Sequence, residues 1–260
     1  MHAIDECALR WFLQREAGGA SPGTAAQGFG AVVHALAAGV ADGDLPADQA
    51  AVRDELDLVW DRLPFPVSWA SSAERAEASA ALGRFLDWHR ADRGRTALAA
   101  ELEFDVTVPV GADTARLRGS IDRVELDRDG AVVVVDLKTG RTAPARAAVE
   151  RHAQLGVYQL AVEAGATTEV AGGSGRPGGA ELVQLRHQRR AGVHVQHQPA
   201  DVTGRTAATQ LAHAVAVVRG ERFAATPGPA CAHCEFTPVC PAQPAGRTLL
   251  DRSHDDTEQS

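Results

Sequence analysis

The run Ala131-Val132-Val133-Val134-Val135 is apolar at every position. A strand points alternate side chains to opposite faces, so this one must be covered on both sides. It belongs at the centre of a sheet, with helices above and below. Residues 99–110 and 114–127 alternate apolar and polar side chains and read as two further strands. Asp129-Gly130 marks a hairpin turn into the third strand, at 131–137. Around this meander the hydrophobic period becomes helical. The expected helices cover 1–19 (ending at Gly18-Gly19), 24–41, 47–63, 72–93, 146–164 and 204–219. Strands at 180–187 and 192–198 follow the Gly-rich loop 172–179, and a Pro-rich knuckle spans 226–241. The order predicts an α/β protein in which a central sheet is flanked by helices behind a helical N-terminal block.

Composition limits the function. Hydrophobic residues make up 45% and charged residues 23% of the 260 positions, as in a globular chain. No apolar run reaches the ~18–20 residues of a membrane span, and residues 1–20 lack the form of a secretory signal, so a cytoplasmic location is expected and no membrane partner. Of 26 basic residues the only lysine is Lys138, and the only tyrosine is Tyr158. In a chain that otherwise uses arginine, a lone lysine stands where a compact ammonium is needed and a planar guanidinium does not serve.

The four cysteines are Cys7, then Cys231, Cys234 and Cys240 close together. In a chain read as intracellular such a group is a metal site rather than a disulfide framework. Four thiolates suit zinc and a 4Fe–4S cluster equally on chemistry alone. Cys7 and the triplet stand at opposite ends, so one shared group would staple the termini together.

The central chemical signal is Gly119-Ser120-Ile121-Asp122-Arg123 followed by Asp136-Leu137-Lys138-Thr139-Gly140. With 129 and 130 as the two turn residues, residue i pairs with 259 − i, so Asp122 faces Leu137 and lies diagonal to Asp136. A bulge or a one-residue shift would change that. Asp136 and Lys138 share a strand face. Asp122, Asp136 and the Leu137 carbonyl together make a hard oxygen site suited to Mg²⁺ or Mn²⁺. A lysine beside such an ion positions water and offsets charge building on a phosphate. Gln154 and Tyr158, four apart on a helix, share a face.

In its order, this set resembles the PD-(D/E)XK nuclease superfamily. Asp136-Leu137-Lys138 matches the D-x-K element, and Asp122 matches the upstream acid. Within the RecB-like branch, His34 matches the histidine that supplies an extra metal ligand from an upstream helix. Gln154-Leu155-Gly156-Val157-Tyr158 matches the Q-x-x-x-Y element. One cysteine before the core and three after it resemble the iron–sulfur nucleases of AddB/AdnB-type helicase–nucleases and of CRISPR adaptation. The resemblance implies a restriction-endonuclease-like sheet and a single domain over 1–246. It places a helical insertion at about 42–95, a disordered tail at 247–260, and a structural 4Fe–4S cluster on Cys7, Cys231, Cys234 and Cys240 in preference to zinc. His34, Asp122, Asp136 and Leu137 would hold Mg²⁺ or Mn²⁺, with Lys138, Gln154 and Tyr158 completing the catalytic set. A glutamate on the first strand is common in the family, which makes Glu101 a further candidate.

The activity implied is DNA cleavage, exonucleolytic, as the nuclease module of a RecB-like helicase–nuclease in double-strand break repair. A stand-alone CRISPR-adaptation-type exonuclease, a non-cleaving iron–sulfur DNA-binding module, and a zinc-stapled protein unrelated to nucleases are the competing readings. No phosphate-binding G-x-x-x-x-G-K-[ST] loop is present, so a helicase motor would be a partner domain or subunit. The net charge of −8 opposes tight DNA binding, and Arg186, Arg189 and Arg190 form a basic run that offers a compensating contact.

Overall fold

In a computed structural model, residues 1–19, 25–60, 68–173, 175–189, 192–201 and 205–246 are described. The chain forms two compact units, one from residues 23–208 and one from 1–22 with 209–260.

The larger unit begins with helices α3 (Ala25–Asp42), α4 (Gln49–Trp60) and α5 (Ser68–Arg90), preceded in the chain by α1 (His2–Glu6) and α2 (Ala8–Arg15) of the smaller unit. Strands β1 (Thr96–Val110), β2 (Asp113–Leu126) and β3 (Val132–Lys138) follow. Next come α6 (Arg146–Val149), α7 (Ala153–Glu163), α8 (Thr168–Ala171), β4 (Pro177–Arg189) and β5 (Gly192–Gln198). The strands form one five-stranded sheet in sequence order, antiparallel except where β3 meets β4. A parallel neighbour demands a crossover, and α6–α8 supply it.

The valine run sits where its pattern demands. Val132 to Val135 are all buried. On one face Val135, Leu137, Val183 and Leu185 pack with Phe29, Val33, Leu82, Phe85 and Leu86 of the N-terminal helices. On the other, α7 buries Leu155, Tyr158 and Leu160. Glu125, fully enclosed, is neutralised by Arg93 at 2.6 Å and Arg123 at 2.7 Å, and the Arg93 guanidinium lies 3.7 Å over the Trp88 ring.

Four expectations need correction. The β2–β3 turn holds three residues, 128–130, rather than two: the Asp127 N–H donates to the Ala131 carbonyl, and Gly130 takes φ +70. The Asp127 carboxylate accepts from the N–H groups of Asp129 (2.9 Å) and Ala131 (2.8 Å), holding the turn from within. The observed pairs, Arg123 with Val135 through Leu126 with Val132, therefore follow 258 − i rather than 259 − i. This is the three-residue hairpin with a left-handed glycine.

The helix expected over 146–164 is broken at 150–152, where the Gln198 side chain donates to the carbonyls of Val149 (2.9 Å) and Glu150 (3.4 Å). The helix expected over 1–19 is interrupted at Cys7, which is extended (φ −164, ψ 106) between α1 and α2. β4 also starts earlier, inside the segment read as a Gly-rich loop. The tail from 247 lies outside the described residues.

In the smaller unit, α9 (Arg205–Arg219, which begins in the larger unit) contributes Ala214 and Val217 to an apolar cluster with Ile4, Ala8, Trp11 and Phe223. Phe12 stacks on Phe223 at 4.5 Å, and the Leu9 N–H donates to the Ala224 carbonyl. The Pro-rich knuckle consists of two short 3-10 turns, Pro229–His233 and Thr237–Val239. Among the described residues no helix is long and apolar enough to cross a membrane.

Candidate functional site

The site begins with register. Continuing the β2–β3 pairing by one step sets Asp122 across from Asp136, and the strands are tied there because the Leu137 N–H donates to Asp122 Oδ2 at 2.6 Å. The other Asp122 oxygen lies 3.4 Å from His34 Nδ1 on α3. Glu101 on β1 brings a carboxylate oxygen to 3.8 Å from the same nitrogen, and Ser120 Oγ donates to its second oxygen at 3.1 Å. His34, Glu101 and Asp122 each offer a ligand atom within 4.8 Å of the others, the one such group of three among the described residues.

Glu101 holds φ +44, in the left-handed region that side chains with a Cβ avoid at a cost of roughly 1–2 kcal/mol. The sequence marked Glu101 only through family resemblance; no local pattern signals such a conformation. Glu103, the other glutamate of this strand, is exposed.

Lys138 and Asp136 form the second half of the site. Lys138 Nζ lies 2.7 Å from Asp136 Oδ2 and donates to Gln154 Oε1 at 2.9 Å. Gln154 in turn donates to the Tyr158 hydroxyl at 2.8 Å. Tyr158 is buried edge-on to Phe104, and a Cβ added to Gly119 would press that ring. Burial also drives the charges. Asp136 is 2% exposed and its carboxyl is pushed up to about 6 by desolvation, against the pull of Lys138 and with the repulsion of Asp122 added. Burial pulls His34 down, but its hydrogen bond and proximity to Asp122, with Glu101 and Asp136 behind, outweigh that and leave it above its ordinary value. Tyr158 is raised by burial and by the same carboxylates, so it remains a neutral phenol.

An open cleft of about 490 Å³ leads to this corner, lined by Gly30, Ala31, His34, Ala35 and Glu101. Gly30 lets α3 approach the turn after Lys138: a Cβ there would stand 3.1 Å from Thr139 Oγ1. One helical turn later, His34 reaches the acids. None of the three residues of the expected basic run is shown as a free cation at the site: one packs elsewhere, and the side chains of the others lie outside the described residues. The Arg186 side chain is 10% exposed, bonded to Glu74 and stacked 3.7 Å from Phe29, so it is a packing residue rather than a free cation. The Arg189 side chain and Arg190 lie outside the described residues.

In the smaller unit Cys7, Cys231, Cys234 and Cys240 are all free thiols lining one cavity of about 330 Å³, shared with Arg10 and Thr237. The Cys7 break gives its thiol this position. The Gly228 N–H donates to Cys231 Sγ at 3.4 Å. Arg10 Nε is buried without an acceptor, while Glu235 holds the far end of that side chain at 3.6 Å.

A histidine and two carboxylates within ligand distance, with a buried acid and a lysine beside them, are a candidate site for a hard divalent cation. The family comparison agrees with that class. Residues 1–241 match the PD-(D/E)XK nuclease superfamily, and the chain belongs to it. Members of that superfamily are generally phosphodiester-cleaving nucleases. A comparison with curated proteins gave no match. Among solved structures, "Crystal structure of SSO0001" is similar at 14% identity, over 81% of this chain and 85% of that one, with a TM-score of 0.37.

Proposed function

We propose that the protein is a Mg²⁺- or Mn²⁺-dependent DNA exonuclease, the nuclease module of a RecB-like helicase–nuclease acting in double-strand break repair. The observation that carries this reading is the unbroken series of contacts from His34 through Asp122, Leu137, Asp136, Lys138 and Gln154 to Tyr158.

The donor set fits the metal. His34, Glu101 and Asp122 are within ligand reach of one another, and the buried Asp136 carboxylate is paired with Lys138 at 2.7 Å. Asp136 and the Leu137 carbonyl would complete the set. The cation would supply Lewis-acid polarisation of the phosphate and stabilise the departing oxygen. Lys138 has three N–H donors, two of them directed at Asp136 and Gln154. The third would hold the attacking water against the phosphorus and offset charge on a non-bridging oxygen. Tyr158 accepts from Gln154 and keeps its own proton to donate to the substrate backbone.

The four thiols would hold a 4Fe–4S cluster as a structural staple. No three of them come within 4.8 Å of one another, whereas zinc bonds of about 2.3 Å in a tetrahedron would draw sulfurs to roughly 3.8 Å. A cavity bounded by well-separated thiols, with an arginine nitrogen seeking an acceptor, supports the larger anionic cluster. DNA is the partner the chemistry asks for, delivered by a helicase motor, and a cytoplasmic setting follows from that role.

The test is anaerobic purification, a visible spectrum with iron and zinc analysis, then degradation of linear DNA with and without Mn²⁺ by the parent and Lys138→Ala. Metal-dependent loss of DNA that vanishes in Lys138→Ala is expected. A parent inert with every divalent ion, yet still binding DNA, would replace this reading with that of a non-cleaving module.

A further inference from the structure

Glu74 on α5 is shared by two arginines of opposite character. Its Oε2 bonds Arg186, whose side chain is 10% exposed and lies flat against Phe29. Its Oε1 accepts from Arg141 at 2.5 Å, and the Arg141 side chain is 75% exposed. One cation is built into the core and the other sits at the surface. Arg141 is three residues beyond Lys138, and Thr139 between them abuts Gly30, which lines the cleft leading to His34 and Glu101. An exposed guanidinium thus stands at the rim of the site.

We propose that Arg141 is a phosphate clamp for the DNA strand entering the site, held ready by Glu74 and transferred from that carboxylate to a backbone phosphate when DNA binds. This rests on the nuclease reading and adds a substrate-positioning residue to it. The exchange is chemically even-handed. When Arg141 leaves, Glu74 keeps Arg186 and is not left an unpaired half-buried anion. Although desolvation opposes it, the two arginines hold the Glu74 carboxyl below its ordinary range, so it remains an anion able to receive Arg141 again. An exposed carboxylate–guanidinium pair is weak in water, while a phosphate takes the same planar donor fork with two oxygens and also releases counterions. The clamp adds local positive charge where a chain of net charge −8 needs it.

The experiment measures binding of fluorescent linear DNA by anisotropy in EDTA over a salt series, and then KM and kcat with Mn²⁺, for the parent, Arg141→Gln and Arg141→Lys. Arg141→Gln is expected to weaken binding about three- to ten-fold, to reduce the slope of log affinity against log salt by about 0.7–0.9, and to place its kinetic loss on KM rather than kcat. Arg141→Lys restores the slope, since charge is kept. A parent that binds and cuts DNA, with Arg141→Gln matching it in slope and KM, overturns this inference alone. A lowered melting temperature with an unchanged slope does so too, by showing a latch between helix and turn. A parent that neither binds nor cuts DNA overturns the nuclease reading and the clamp with it.

Discussion

Lys138 donates to the side-chain carbonyl of Gln154 at 2.9 Å, and that bond dictates which way the glutamine amide points. An ammonium can only donate, so Oε1 must face it; Nε2 is then turned to the Tyr158 hydroxyl, 2.8 Å away. The D-x-K strand and the Q-x-x-x-Y helix are thereby joined through one oriented amide.

Replacing that amide tests the coupling. Gln154→Ala is expected to lower kcat about 10–100-fold, the usual cost of losing a group that orients a catalytic side chain. Its melting temperature should stay within about 3 °C of the parent, because Gln154 lies at the surface. Tyr158→Phe keeps the ring against Phe104 and should cost less in rate than Gln154→Ala. Steady-state kinetics on linear DNA with Mn²⁺ decides; equal rates for Gln154→Ala and the parent would separate the two motifs functionally.

Stability without metal carries the mark of Asp136. Its carboxyl ionises near 3.8 in an unfolded chain and near 6 when folded. The folded state therefore holds the proton more tightly. The stability this contributes is complete below about pH 4 and is lost as pH rises through 6. In EDTA at pH 8, Asp136→Asn is expected to melt about 3–8 °C above the parent, corresponding to roughly 1–3 kcal/mol. At pH 4 the two should coincide. An Asn variant no more stable than the parent at pH 8 would show that Asp136 is not strained by burial.

Metal binding should release protons. His34 must be neutral to ligate, and its imidazole is held above its ordinary value by Asp122. Asp136 must likewise be ionised. Apparent Mn²⁺ affinity is therefore expected to climb by up to about ten-fold per pH unit for each proton displaced between pH 5.5 and 7.5, then level off. Calorimetry in buffers of different ionisation enthalpy reads the protons directly. His34→Ala should weaken binding and reduce the release; an affinity independent of pH would place the ion elsewhere.

The β2–β3 turn sets the register on which the acids depend. Asp127→Ala removes two internal hydrogen bonds and is expected to cost about 1–2 kcal/mol. Activity should fall by more than the unfolded fraction accounts for, because the alignment of Asp122 with Asp136 loosens. Thermal melts paired with specific activity test this, and activity that tracks the folded fraction alone would disprove it.

The thiol cavity gives a separate check. Cys231→Ala should abolish visible absorption and lower the melting temperature. A colourless parent with one zinc per chain, matched in stability by the variant, would remove the cluster.

Much of this was legible in the chain before folding. Val132–Val135 announces a central strand because only a covered sheet can hide both of its faces, and the structure buries all four residues. Lys138 stands out because arginine elsewhere replaces every other lysine, and the D-x-K spacing puts it on the same face as Asp136 by the two-residue period of a strand. The helical period of 24–41 locates α3 to within a residue at either end, and the alternation of 99–110 locates the end of β1, which begins three residues earlier at Thr96.

What the tertiary structure decided depends on groups distant in sequence. A two-residue turn was the local expectation, yet the Asp127 side chain stabilises three and moves every β2–β3 pair by one, changing the partner of Asp122. Helical propensity runs on through 150–152, but Gln198, from the far end of the sheet, donates to the Val149 and Glu150 carbonyls that a continuing helix would use. Glu101 acquires a left-handed backbone beside His34, and Arg186 is drawn from the surface by Glu74 and Phe29. Periodicity and residue chemistry are local quantities and can be read along one dimension. Register, strain and the choice of ion-pair partner follow from the competition among many side chains for the same few hydrogen bonds, and that competition exists only once the chain has closed on itself.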